Sequence, residues 1–255
     1  NPFPYNLASV YGNYEGLVMD SLGMAFKQSL KLTNKGAFSS SLLGFVSDAA
    51  FSGKFVNGSY TGAGVLKNAG GLSDVQMSMR HQGGNTFYIQ GTYLTNTGET
   101  FSFELRPSRS YVSANKFTFN ASLSSEDLSQ AIYDGSPAGS AVGTGSITKA
   151  GAISFNVYLP DGRRCSNSSH IVDGNYVMLF ARNSGTILGG PLMFNSTAGR
   201  FNGSVRMFST GGGNFPRGFD QDRQLSGSYF VPPSAGKLPV ASLPVSSSNV
   251  VCNWT

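Results

Sequence analysis

The sequence predicts an all-β protein, with many short antiparallel strands forming two sequential barrel-like or sandwich-like halves. Alternation is the first observation behind this: over 151–159, Ile153, Phe155, Val157 and Leu159 point one way along an extended chain, and Ala152, Ser154, Asn156 and Tyr158 the other. Punctuation is the second. Similar runs recur from Tyr11 onward, each closed by a glycine turn, and glycine supplies 33 of the 255 residues. The third is that no stretch with a helical period of comparable strength competes with them.

Residues 1–10, with Pro2 and Pro4, read as an extended N-terminal arm. A first β half, 11–110, holds strands at about 11–19, 24–32, 37–45, 50–56, 60–67, 74–80, 85–94 and 99–106. Within it Asn57-Gly58 has type I′ turn chemistry, because both central residues of that turn need positive φ. A connecting segment, 111–137, carries a strand at 116–123 and then Ser124-Ser125-Glu126-Asp127-Leu128, the pattern of a capped single helical turn.

A second β half, 138–231, resumes with strands at about 141–149, 151–159, 164–171, 175–182, 187–194, 200–208 and 225–231. Asp161-Gly162 and Asp173-Gly174 are its hairpin turns, and 211–223 reads as a long loop rich in glycine, proline and charge. A proline-bearing tail, 232–255, ends the chain. The run Gly36-Ala37-Phe38-Ser39-Ser40-Ser41-Leu42 echoes Gly199-Arg200-Phe201-Asn202-Gly203-Ser204-Val205, which repetition of one turn-plus-strand unit explains without domain duplication.

Composition narrows the function classes. Charged residues make up 12% and aromatics 12%, so the polar surface comes from Ser, Thr, Asn and Gln, a mix common in secreted β proteins. The net charge of +5 is scattered singly, Arg163-Arg164 being the densest pair, with no basic stripe interleaved with aromatics. Nucleic acid is therefore not an expected partner, whereas acidic polysaccharide suits a weakly basic surface. No apolar stretch approaches the length of a membrane-spanning helix, and the start Asn1-Pro2-Phe3-Pro4 reads as mature protein after signal removal.

Cys165 and Cys252 are read as a disulfide tying the tail to the body, which implies an oxidising compartment. In the chain-entropy model, closing so long a loop contributes roughly 4 to 5 kcal/mol. Asn57, Asn120, Asn167, Asn195, Asn202 and Asn253 head Asn-x-Ser/Thr sequons, acceptors only in a glycosylating host.

Several motifs in order suggest a family. Gly12-x-Tyr14-x-Gly16-Leu17, then Gly36-Ala37-Phe38-Ser39 and Phe51-Ser52-Gly53-Lys54-Phe55 open the series. Gly143-Thr144-Gly145-Ser146-Ile147-Thr148, Gly151, Leu159-Pro160-Asp161-Gly162, Gly189-Gly190-Pro191-Leu192-x-Phe194 and Gly227-Ser228-Tyr229 continue it. Over about 11–233 the chain resembles an all-β module of large secreted or surface proteins of Verrucomicrobia and related bacteria, a module of unknown function. The resemblance implies architecture and a secreted or cell-surface location, with no catalytic residues to carry over. Cys165, Cys252 and the terminal arms lie outside its pattern.

Nothing in the sequence points to catalysis or to a cofactor. His81 and His170 stand in no metal-ligand spacing, and Cys165 and His170 fall on opposite faces of one strand. The carboxylates Glu15, Glu99, Glu104, Asp161, Asp220 and Asp222 cannot be paired across a cleft, and Asp220-Gln221-Asp222 reads as solvated loop charge rather than a calcium site. Tyr88, Tyr158 and Tyr176 alternate with core residues and read as outward-facing; Trp254 reads as a plug on the barrel end.

The expected function is a secreted, non-enzymatic structural or adhesive protein that polymerises or oligomerises with copies of itself. The arm or the tail adds as a strand to a neighbouring subunit, with Phe3, Tyr5, Val250, Val251 or Trp254 filling pockets; a strap folded back on its own domain is the other use of these termini. The alternative function is a carbohydrate-binding module acting as a monomer.

Overall fold

The computed structural model describes residues 10–229 apart from 21–22, 45–47, 64–65, 67–71, 84–85, 110–113, 123–124, 174, 184 and 213. The first sheet contains β1 (Gly12–Asp20), β2 (Gly23–Leu32), β3 (Ala37–Gly44), β4 (Ala49–Lys54), β5 (Ser59–Gly62), β6 (Leu72–Gly83), β7 (Thr86–Thr95) and β8 (Thr100–Pro107). The second contains β9 (Asn115–Ser122) and, after α1 (Ser125–Asp134), β10 (Ala141–Ile147), β11 (Ala152–Tyr158) and β12 (Arg164–Val172). It is completed by β13 (Tyr176–Asn183), β14 (Thr186–Asn195), β15 (Arg200–Ser209) and β16 (Phe219–Tyr229).

Both sheets are antiparallel meanders that curl back on themselves, giving two sequential eight-strand barrels, the first nearly closed and the second closed. In barrel 2, β9 pairs with β10 from Ala141↔Ala121 to Ile147↔Asn115 and with β16 from Gln224↔Ser122 to Tyr229↔Phe117. In barrel 1, β8 returns to β1 through pairs such as Val18↔Phe103, but no ladder joins β4 to β5. These two meet at the isolated bridge Val56↔Ser59, where Asn57 and Gly58 have φ of 50° and 78° as the turn chemistry predicts. The barrel interiors are filled by side chains, as eight strands allow: Tyr14, Phe55 and Tyr93 in the first, Phe117, Phe155 and Phe194 in the second.

The alternation read over 151–159 holds: Ile153, Phe155, Val157 and Leu159 are all buried in the core of barrel 2. Elsewhere the structure departs from expectation. Barrel 2 begins at Asn115, inside the segment read as a connection, because β9 is the strand that closes it. The helical turn extends to a ten-residue helix. It ends in a Schellman motif, with Gly135 at φ 69°, its N–H donating to Ile132 O at 3.4 Å and Ser136 N–H to Ala131 O at 2.9 Å.

β16 starts at Phe219, so Asp220, Gln221 and Asp222 belong to a strand rather than a loop. The alternation there is masked because a charged residue, Arg223, takes a core-facing position between Phe219 and Leu225 and is only 1% exposed. Its guanidinium donates to Gly139 O at 2.5 Å, Pro137 O at 2.6 Å and Gln221 Oε1 at 2.7 Å, strapping the segment after α1 over the barrel mouth. The echo between 36–42 and 199–205 joins β3, third in its barrel, to β15, seventh in its own, so it is not a repeat of equivalent strands.

Cys165 is a free thiol buried in the core of barrel 2, where desolvation by burial, with a further push from Asp161, raises its pKa to about 12. The Cys165–Cys252 disulfide therefore finds no support, and Cys252 lies outside the described residues. No helix among the described residues is long and apolar enough to cross a membrane.

Candidate functional site at the barrel junction

The barrels meet along β1 and β2 of the first and β12 and β13 of the second. β13 explains why. Its run Val177-Met178-Leu179-Phe180-Ala181 is apolar without alternation, as a strand buried on both faces requires. Val177, Leu179 and Ala181 fill barrel 2, while Met178 and Phe180 join Leu17, Val172 and Ile187 in a separate cluster against which Leu43 and Tyr176 pack. Tyr176 thus serves the junction, with Arg106 stacked over its ring at 5.4 Å.

A polar knot sits beside this cluster. Glu15 on β1, only 5% exposed, lies 3.2 Å from Lys27 Nζ on β2. From the other barrel Glu15 accepts hydrogen bonds from Ser169 Oγ at 2.8 Å and His170 N–H at 3.0 Å, and His170 Nδ1 lies 2.8 Å from its second oxygen. Lys27 Nζ in turn donates to Ser168 O at 2.5 Å.

These cross-barrel bonds are available because β12 bows away from β13. The two strands pair at Ser166↔Arg182 and again at Ile171↔Val177, in one register, with no pairs between. In the gap Asn167 Nδ2 donates to Phe180 O, and the main chain of His170 is released to Glu15. Burial pushes the Glu15 carboxyl up, but the His170 hydrogen bond, the Lys27 charge and the Ser169 hydroxyl outweigh it, and its pKa lies below the ordinary 4.5. Burial pushes the Lys27 ammonium down, and Glu15 opposes this only in part.

The chain between the barrels is pinned too. Ser108 bridges to Val172, Arg109 N–H donates to Ile171 O at 2.7 Å, Asp173 N–H donates to Pro107 O at 2.9 Å, and Arg109 forms an ion pair with Asp173. At the far side Arg182 on β13 reaches Gly44 O at 2.6 Å and Asp48 at 2.7 Å. Above the knot lies an open groove of about 910 Å³, walled by His170, Asn167 and Ser168 of β12 and floored by the outer face of β1–β4.

Most residues singled out from the sequence lie away from this groove. Glu104, Asp161 and Asp220 are each occupied by an arginine (Arg106, Arg163 and Arg206). Asp220 is held by two bonds from Arg206, at 2.7 and 2.6 Å, and no group of three or more potential metal ligands occurs among the described residues. His81 packs against Phe87 at 4.9 Å, and Tyr158 is half exposed with Arg164 near its ring. Cys165 and His170 do face opposite ways, one into the core and the other to the junction.

Of the sequons, Asn57, Asn120, Asn195 and Asn202 are exposed, Asn167 has its amide engaged, and Asn253 lies outside the described residues. So do Phe3, Tyr5, Val250, Val251 and Trp254. Sequence reasoning missed Glu15, Lys27 and His170 as a unit. The apolar run at 177–181 was the available signal that a second surface covers β13.

The fold and the site together define a tandem of up-and-down barrels locked by a buried polar knot. No family model matches the chain, and no curated protein matches it. Among solved structures it is similar to a protein of unknown function from the DUF3598 family of Nostoc punctiforme. That match has 10% identity and a TM-score of 0.21, over 88% of this chain and 97% of the other.

Proposed function

We propose that this protein is a secreted, non-enzymatic structural or adhesive subunit that assembles with its own copies by strand addition at the seam of barrel 1. The observation that carries the reading is the contrast in edges. Every strand of barrel 2 is paired on both sides, whereas β4 and β5 each present one side without a ladder partner among the described residues. Such an edge holds main-chain donors and acceptors ready for an extended segment, which supplies affinity while pockets select its side chains. The arm around Phe3 and Tyr5 and the tail around Val250, Val251 and Trp254 are the donors, and the resemblance to modules of large surface proteins supports a place outside the cell.

The test is negative-stain electron microscopy of the protein over a range of concentrations, with and without reducing agent. Regular filaments or layers are expected, lost when residues 1–10 or 232–255 are deleted. Dispersed monomers at all concentrations, or assembly that survives both deletions, would overturn the reading.

A further inference from the structure

The groove at the barrel junction opens across the outer faces of β1 to β3 and reaches the seam strand β4 only at Ala49 and Ala50. Its floor is set by register: Asn13, Lys31 and Ser39 lie abreast across β1, β2 and β3, and beside them Glu15, Ser29, Ser41 and Ala50 lie abreast across β1 to β4. Short side chains at Ser29, Ser39, Ser41 and Ala50 leave a trough, and the three serine hydroxyls both donate and accept hydrogen bonds.

Both carboxylates of the groove are already engaged, one of them by an arginine outside its lining. Glu15 is paired with Lys27 and Asp48 with Arg182, which leaves Lys31, exposed, with no carboxylate partner among the described residues. His170 is oriented by its neighbour: Nδ1 faces the Glu15 carboxylate and donates to it, which leaves Nε2 as the ring nitrogen free for a ligand hydroxyl. The side chain is about one-third exposed and lines the groove.

We propose that this groove binds an acidic oligosaccharide, with Lys31 taking a uronate carboxylate and His170 Nε2, Asn167 and the floor serines taking ring hydroxyls. A sugar is chosen over a peptide because hydroxyl, amide and imidazole groups of the floor and wall lie among small apolar patches at Leu43, Ala49 and Ala50, a mixture that matches the hydroxyls and C–H faces of a pyranose. No exposed aromatic platform lines the groove, so recognition rests on charge and hydrogen bonds, and affinity falls as salt rises.

Isothermal titration of the full chain with a galacturonate hexamer tests this, beside maltohexaose and a glutamate hexapeptide. Saturable binding of the galacturonate is expected, weakened about tenfold or more by Lys31→Glu and abolished by Ser41→Trp, which fills the trough from an exposed position. Arg200→Glu, exposed at the start of β15, a strand that contributes nothing to the groove lining, serves as the charge control and leaves binding unchanged. Absence of saturable binding, or binding that survives Lys31→Glu and Ser41→Trp, would overturn the site. Equal binding of maltohexaose would overturn the acidic commitment, and equal binding of the peptide would overturn the sugar.

Discussion

The two barrels run the same eight-strand meander but close by different means. Barrel 2 closes through its main chain, with β9 laddered to strands on both sides. What permits this is a glycine opposite a phenylalanine: Gly143 pairs with Phe119, and a Cβ there would lie 2.1 Å from the ring. Barrel 1 closes through side chains. Phe38 and Phe51 converge on Tyr60, with ring centroids 4.8 and 6.4 Å apart, and Tyr60 lies across Gly53, where a Cβ would meet its ring at 2.3 Å. An apolar plug can therefore substitute for a missing ladder between β4 and β5, but it leaves one edge of each without a partner among the described residues.

The strongest way to separate the barrels is to cut their junction. Glu15→Gln leaves Lys27 buried without its counter-charge, a loss of about 3–5 kcal/mol. Urea unfolding followed by fluorescence and by hydrogen exchange is expected to split into two transitions, barrel 1 first. A single unshifted transition would show that the knot contributes little.

Phe119→Ala attacks the ladder-closed barrel where its ring spans the glycine and is expected to cost about 3–4 kcal/mol, exposing β9 and β10 to exchange. The matching cut in barrel 1, Tyr60→Ala, is expected to cost about 2 kcal/mol because the side chain is only half buried, with faster exchange confined to β4 and β5. Equal costs and equally global exchange would erase the distinction between the two closures.

The smallest effect is with pH. The Glu15 carboxyl is lowered in the folded chain, so its contribution is complete above its unfolded pKa near 4.5 and is lost as pH falls through the lower folded value. The two-transition unfolding should therefore emerge in the wild type only in that acid window. In Glu15→Gln the junction should show no such acid limb.

Much of the fold was legible because strand chemistry is local. Ile153, Phe155, Val157 and Leu159 alternate in the sequence and do so in the barrel, and Asn57-Gly58 turns as its positive φ values demand. Where a residue served a distant surface, local pattern failed. Arg223 faces the core yet looks like loop charge, because its partners are the carbonyls of Pro137 and Gly139. β9 was legible as a strand at about 116–123, but its place as the closing strand of barrel 2 was not, because its partner β16 lies a whole barrel away in sequence. Of the junction, only the unbroken apolar run at 177–181 was visible in advance. Glu15 and His170 are separated by 155 positions, and nothing local couples them.

The antiparallel pairing of β9 with β16 has a mechanical consequence. Asn115, where β9 begins, and Tyr229, where β16 ends, lie at the same rim of barrel 2. Tension between those two points loads neighbouring strands from one end, so the pairs part in succession from Tyr229↔Phe117 onward rather than shearing together. Closure that protects the barrel against heat and denaturant thus gives it little resistance to a pull. A chain carrying load between copies would yield by unzipping there, while the junction, pinned through Ser108, Arg109 and Asp173, is crossed by bonds that must break together.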